Sequence, residues 1–472
     1  MLSLYFKLLI YKEKHSALEI TMRKKHTVQC SIFEYYPEHE TGHELKAISQ
    51  WVDQHPELLD WVAGDVKNRA VKNNSGREGL TVESILRCAI LKQYHQVSYY
   101  DLAFCLMDST ACQSFARLRP GWYPKRSVLQ SCVSVISEVT WEQINQSLLR
   151  SAVKAKVERG NMLRIDSTVV DSPIHEPSDS SLLWDSMRVL VRLLKKADEL
   201  VQGLTTLDYK NHRRLAKKRA RAIVYTRGKE KKKLLYKDLV NAVEKTLCYL
   251  DAAVATVNSV SITEFLALET WHAQVTHYKP LIQQAIEQTK RRVFADEKVP
   301  ASEKIVSVFE EHSDIIVKGS RDIQYGHKIN ISTGKSGLVL DVVIEEGNPA
   351  DTDKCIPMLE RHIDHYGQAP RQMAADGGYA SIDNLAAAKG LNVKDMAFHK
   401  KRGLAVENMT KSAWVYRKLR NFRAGIEAGI SYLKRVYGLR RCTWKGLKHF
   451  KSYVWSSIVA HNLVVFSRLL TT

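Results

Sequence analysis

The chain has 472 residues, 44 % hydrophobic and 26 % charged, which is the composition of a folded, soluble protein long enough for two or three domains with cores of their own. Lys and Arg number 71 against 51 Asp and Glu, a formal charge of +20 that makes a polyanion the first partner to consider and a membrane surface the second. No apolar run reaches the roughly 18 to 20 residues that span a bilayer, and the basic residues are not gathered beside an apolar helix, so no membrane partner is expected.

The opening MLSLYFKLLIYKEK is a poor signal peptide, because its positive charges follow the apolar run instead of preceding it. Residues 1–43 are expected to form a partly disordered extension, and Met22 is an alternative start of translation. The eight cysteines form no CxxC pair and read as reduced thiols. Residues 44–150 have helical spacing, with Leu45, Ile48, Trp51 and Val52 on one face and Thr81 as N-cap of a later helix. A further helix opens at Pro124-Lys125-Arg126-Ser127. Short helices with tight breaks suit a DNA-binding or self-association domain, with Lys125 and Arg126 placed to meet phosphate; a bundle with incidental basic residues has the same pattern.

A catalytic domain is expected over 160–463, followed by a tail at 464–472. Its first strand, 162–170, carries Asp166 where a core strand should be apolar. A buried carboxylate is costly unless it is paired or bound to a cation, although a strand-end Asp can also simply cap the following turn. A helical insertion, 180–299, follows. Within it, twelve Lys or Arg lie between Lys210 and Lys233 against the single acid Glu230. A charge run is often only a solvated face, but like charges four residues apart repel on a helix unless something neutralises them. That favours phosphate beside Arg213, Arg214, Lys217, Lys218 and Arg221.

From residue 300 the pattern becomes alternating and β-branched. Two apolar runs flank Thr333-Gly334-Lys335-Ser336-Gly337, which predicts an antiparallel hairpin. A helix from Asp353 to about His365 comes next, then a strand ending at Asp376, a helix over Ser381–Lys389, a strand at NVKDMAFHK and a long helix from about Ser412 to Val436. With the insertion removed, this is the element order of a ribonuclease-H-like α/β fold, a mixed sheet preceded by an all-helical domain. Asp166 and Asp376 then stand at neighbouring strands of one sheet. On the last helix, Arg420, Arg423, Glu427 and Lys434 share one face within about 40°, beside a stripe of Ile426, Ile430, Leu433 and Tyr437. Read alone on an exposed helix, that face is better explained by an ordinary Arg423–Glu427 salt-bridge ladder. Three acids without a nearby His and Cys pair favour Mg²⁺, with Mn²⁺ as the alternative, at two ions per site for phosphoryl transfer.

These residues resemble the insertion-sequence DDE transposases of the IS4/IS5 type. In that family the third acid lies in a signature of Tyr, two residues, Arg, three residues, Glu, six residues, Lys. Arg423, Glu427 and Lys434 match it, and Arg420 replaces the Tyr. DSTVV at Asp166 and ADGGYAS at Asp376 resemble the first two blocks, and the likeness runs from about Glu44 to Leu463. The resemblance implies a catalytic, metal-binding triad of Asp166, Asp376 and Glu427. It also implies DNA contacts from Arg420, Arg423, Lys434, His327 and Lys328, and from Trp184 against a flipped base. As partners it implies double-stranded DNA at terminal inverted repeats and at a target, with a homodimer in a cytoplasmic, nucleoid-associated complex. The rivals are a ribonuclease-H-like endonuclease without strand transfer and a decayed DNA-binding protein.

Overall fold

Among the described residues, seven helices precede the first strand: α1 (Glu40–Asp53), α2 (Glu57–Arg69), α3 (Val82–Tyr94), α4 (Tyr99–Asp108), α5 (Thr110–Ala116), α6 (Arg126–Val133) and α7 (Glu138–Lys154). The computed structural model describes residue 25 and residues 36–69, 79–119, 121–318 and 322–471. Of the expected extension over 1–43, residue 25 and residues 36–43 are described, and α1 already begins at Glu40, while Met22 lies outside the described residues. Hydroxyl side chains start several of the helices. Thr81 accepts from the Ser84 amide at 3.1 Å and Ser137 from the Thr140 amide at 3.2 Å, satisfying donors that the helix itself leaves free.

The sheet has six strands: β1 (Met162–Asp171), β2 (Asp314–Lys318), β3 (Asp322–Thr333), β4 (Val339–Ile344), β5 (Gln372–Ala375) and β6 (Asp395–Phe398). Its order is β2-β3-β1-β5-β6, with β4 paired to β3. β3 is antiparallel to both β2 and β4, whereas β1, β5 and β6 run parallel. With helices α12 (Cys355–Tyr366), α13 (Ile382–Gly390), α14 (Val406–Met409), α15 (Ala413–Val436) and α16 (Leu447–Thr471) interspersed or following, this is a ribonuclease-H-like fold with helical additions. Of the stretch 305–318 that opens the alternating run, only 314–318 forms a strand. The Ser307 hydroxyl accepts from the amides of Phe309 and Glu310, both at 3.1 Å, which closes a turn, and Ile305 and Val308 enter a helical core instead.

Two compact units divide the chain. One comprises 1–170, 328–345 and 349–472, the other 171–327 and 346–348. In the first, α16 packs against α1, α3, α7 and β4, so the N-terminal helices and the sheet share one hydrophobic core. Asn462 on α16 fixes this junction. Its Oδ1 accepts from the Val339 amide at 2.9 Å, while its Nδ2 donates to the Val339 carbonyl and to Asn145 Oδ1, both at 2.7 Å.

The second unit is built on α8 (Asp179–Leu200), α9 (Arg213–Tyr225), α10 (Lys229–Ser259) and α11 (Phe265–Val293), around a separate core. A capping box between Ser178 and Ser181 starts α8. On α9 only Ala216 and Ile223, seven residues apart, are buried, so this helix holds on by a narrow stripe and turns its basic residues to solvent. Among the described residues no helix is long and apolar enough to cross a membrane.

Candidate active site

β1 sets up the site through its alternation. Leu163 and Ile165 are fully buried, and Arg164 and Asp166 point to the other face. In the parallel pairing Ile165 is the register partner of Ala375. The next residues on the two strands, Asp166 and Asp376, are thereby set side by side at a strand separation of about 4.8 Å. The turn after Asp376 needs both its glycines. A Cβ on Gly377 would stand 2.7 Å from Cβ of Lys400, and one on Gly378 2.7 Å from Oδ2 of Asp351.

The third acid arrives on α15, which packs across β5 and β6. Ser412 caps that helix, and Ile426, Leu433 and Tyr437 of the expected stripe are buried, with Ile430 partly so. Arg164 fixes its position on β1. The guanidinium donates from Nε to Thr333 Oγ1 and from Nη1 to the Phe422 carbonyl, each at 2.7 Å, and lies over the Phe422 ring. Burial lowers the pKa of Arg164. Gly425 leaves the room for this contact, since a Cβ there would come within 2.3 Å of Arg164 Nη1.

Arg423, next to Phe422, reaches all three acids. Its Nη2 lies 3.1 Å from Asp166 Oδ2 and 3.3 Å from Asp376 Oδ1, and its Nη1 lies 2.6 Å from Glu427 Oε1. The Arg423 side chain is 7 % exposed, that of Asp166 14 %, of Asp376 38 % and of Glu427 62 %. One guanidinium thus faces three carboxylates, graded from sheltered to open, with two negative charges left over within the set. The Arg423–Glu427 ladder is present, but it belongs to this larger cluster and not to an isolated surface pair. The all-oxygen donor set suits a hard divalent cation, and Glu427 is exposed enough to turn toward one. The Arg423 guanidinium stands among the three carboxylates and bridges them.

Several neighbours carry no signal in the sequence. Tyr379 is fully buried and donates to Asn330 Oδ1 at 2.7 Å. Burial, then the charges of Asp351 and Asp166, push its hydroxyl pKa well up, so it is held as a neutral donor beside the acids. Asp351 receives Lys328 Nζ at 2.6 Å.

The other sequence-predicted residues are placed very differently. Lys328 is 6 % exposed and directs its ammonium to Asp351 and to the Pro349 carbonyl, and His327 is 3 % exposed. Within the second unit, His327 Nδ1 lies 3.2 Å from Asp314 and its Nε2 lies 2.8 Å from Nδ1 of His312, whose Nε2 meets Glu310 at 3.0 Å. Both residues are buried and direct polar atoms to internal partners. Trp184 is partly buried against the second unit's core. Arg420 is exposed and stacks on Tyr416, and Lys434 is half-buried. Lys125 and Arg126 are exposed at the start of α6, and Arg213, Arg214, Lys217, Lys218 and Arg221 are exposed on α9. Among the described residues those five lack a carboxylate partner, whereas Arg219 on the same helix pairs with Asp238 at 2.9 Å.

A second polar cluster stands apart from these acids. Glu142, Asp341 and His365, from α7, β4 and α12, place ligand atoms within 4.8 Å of one another and could hold one metal ion. Arg361 already donates to Asp341 and, at 3.0 Å, to Glu142, and those partners raise its pKa. An ion there would have to displace a guanidinium bound on two sides.

No curated protein and no solved structure matches the chain. Residues 318–463, just under a third of the sequence, match the family model described as "Transposase DDE domain", a span that holds Asp376 and Glu427 but not Asp166, and that indicates homology to the DDE transposase superfamily over this segment.

Proposed function

We propose that the protein is a metal-dependent DNA transposase in which Asp166, Asp376 and Glu427 form the catalytic centre. The observation that carries this reading is the meeting of three carboxylates, from β1, β5 and α15, on the single guanidinium of Arg423. Structural ion pairs are seldom built with such an excess of one sign in a partly buried place, because like charges that close disfavour one another's ionised forms. A divalent cation bound there supplies Lewis-acid stabilisation of phosphodiester oxygens and a more acidic bound water. The protein's part is geometric. The sheet register holds Asp166 and Asp376 together, Arg164 docks α15, and Glu427 completes the donor set from the solvent side. Arg423 then shifts its charge toward a phosphate oxygen, and the exposed basic face of α9 holds the DNA backbone.

The finer terms of the proposal are IS4/IS5-type chemistry, two Mg²⁺ ions with Mn²⁺ as the alternative, recognition of terminal inverted repeats, strand transfer, and a homodimeric complex. Exposed Tyr100, Phe104 and Met107 along α4 support self-association. An endonuclease that cuts without joining is the second reading, since its chemical groups would be identical. The test incubates the full chain with element-end DNA, a target plasmid and Mg²⁺. The parent should cut and join, and Asp166→Asn, Asp376→Asn and Glu427→Gln should bind DNA but lose both steps. Cleavage at the parent rate by any of the three removes that acid from the centre, and cutting without joined product selects the endonuclease.

A further inference from the structure

The other ends of β1 and β5 carry a feature that the acids do not use. Asn161 and Met162, Arg371 and Gln372, and the first turns of α15 surround an open cavity of about 580 Å³. Met162 lies four residues before Asp166 on β1, a separation of about 13 Å along the strand. Six cations line the cavity: Lys156, Arg159, Lys335, Arg371, Lys411 and Lys418. Trp414 stands on its wall 62 % exposed, with Lys418 Nζ 5.2 Å from the ring centroid.

The six cations outnumber the acids beside them, which are Glu158 in the lining and Asp395 behind it, where Asp395 accepts from the Lys411 amide at 3.0 Å and from Gln372 Nε2 at 3.1 Å. None of the six has a carboxylate within salt-bridge distance among the described residues. The one acid in the lining, Glu158, is buried and turned to another task. Its carboxylate accepts from the amides of Arg159 at 2.8 Å, Gly160 at 2.9 Å and Ser336 at 3.2 Å, and from the Ser336 hydroxyl at 2.6 Å. It thereby ties the loop bearing Lys156 and Arg159 to the hairpin turn bearing Lys335. Gly334 is required for that tie, because a Cβ there would lie 2.1 Å from Glu158 Oε2. The positive end of α15, capped by Ser412, faces the same space and adds to its field.

Gathering like charges in a concavity is unfavourable without an anion to fill it. An exposed indole among them adds apolar area that water covers poorly. Cations for phosphate beside a flat ring for a base are the two halves of nucleotide recognition, and the volume falls in the range of small-ligand sites. We propose that this cavity is a nucleotide subsite, with phosphate on the Lys and Arg side chains and a base stacked on Trp414, and that its occupant is a single-stranded nucleic acid. The site does not depend on the acids being catalytic.

The test measures anisotropy of a fluorescein-labelled oligothymidylate, using the full chain in which Arg214, Lys217, Lys218 and Arg221 are Gln, so that α9 contributes little. Lys411→Glu with Lys418→Glu should weaken binding at least about tenfold and flatten its salt dependence. Trp414→Ala should weaken it about tenfold with the salt slope unchanged. The titrations are made in chelator, with no divalent ion at the acids, which keeps this result separate from their assignment. All the substituted positions are exposed, and circular dichroism checks that the fold is kept. Displacement by adenosine monophosphate at comparable concentration would assign the same chemistry to a free nucleotide, and resistance to it assigns a strand. Parent-like affinity in the charge-reversal variant overturns the proposal. So does parent-like affinity in Trp414→Ala alone, since a general polyanion surface would then account for the binding.

Discussion

Asp166 Oδ2 lies 3.1 Å from Nη2 of Arg423, although the two residues are 257 positions apart in sequence. The same guanidinium touches Asp376 and Glu427, so its removal exposes three carboxylates to one another. Arg423→Gln should therefore lower stability in the absence of divalent ions by about 1–3 kcal/mol, the cost of leaving a buried polar partner unsatisfied. Mg²⁺ should restore more stability to the variant than it adds to the parent. Thermal melts in Mg²⁺ and in chelator check this, and an identical Mg²⁺ response in both proteins would speak against a cation position at Arg423.

Gly425 and Gly429 offer a controlled comparison on one helix. A Cβ at 425 meets Arg164 Nη1 at 2.3 Å, while nothing lies within 4 Å of one at 429. Gly425→Ala should cost about 1–3 kcal/mol through overpacking and should impair cleavage by moving Glu427. Gly429→Ala should gain up to about 1 kcal/mol from helix propensity. Chemical denaturation and a cleavage assay separate the two effects, and equal outcomes would mean that Arg164 does not set the helix position.

On α9, Arg214, Lys217, Lys218 and Arg221 are exposed and make no ion pair among the described residues. Replacing all four with Gln should weaken duplex binding and reduce the slope of log K against log salt by about 0.9 for each phosphate that is no longer neutralised. Titrations at several salt concentrations read that slope. An unchanged slope returns the run to the role of a solvated helix face.

Acid should destabilise the first unit through two histidines. Burial lowers the pKa of His461 to about 4 and of His362 to about 4. The unfolded chain takes up these protons near pH 6.5 and the folded chain does not, so stability is full above pH 6.5 and falls as the pH drops toward 4. The loss reaches roughly 3 kcal/mol for each group. Urea melts across this range should show it, and His461→Gln should flatten the dependence. A variant with the parent's pH profile would place the acid sensitivity elsewhere.

Spacing along single elements carried much of the fold. The Gly-rich turn at 333–337 predicts the β3–β4 hairpin, the apolar stripe of α15 predicts its buried face, and the order of strands and helices predicts the ribonuclease-H-like sheet. Each is a local periodicity or turn signal, and local chemistry is what a sequence displays directly. Asp166, Asp376 and Glu427 were also visible as acids in unusual settings, the last two within the span matched by the transposase domain family.

Tertiary structure decided how those groups are used. The same helical spacing that marks Arg423 as a surface contact is compatible with burial, and only the packing of α15 over β5 makes it the hub of the three acids. The resemblance assigns His327 and Lys328 to DNA, and β3, flanked by β1, β2 and β4, brings their polar ends to Asp314, His312 and Asp351. The cavity around Trp414 draws its cations from separate stretches between Lys156 and Lys418, none of them a charge cluster by itself. Charge and periodicity belong to the chain, whereas strand register and helix docking fix which distant groups share a dielectric environment. The sequence therefore determined the inventory of acids and bases, and the fold determined their pairing.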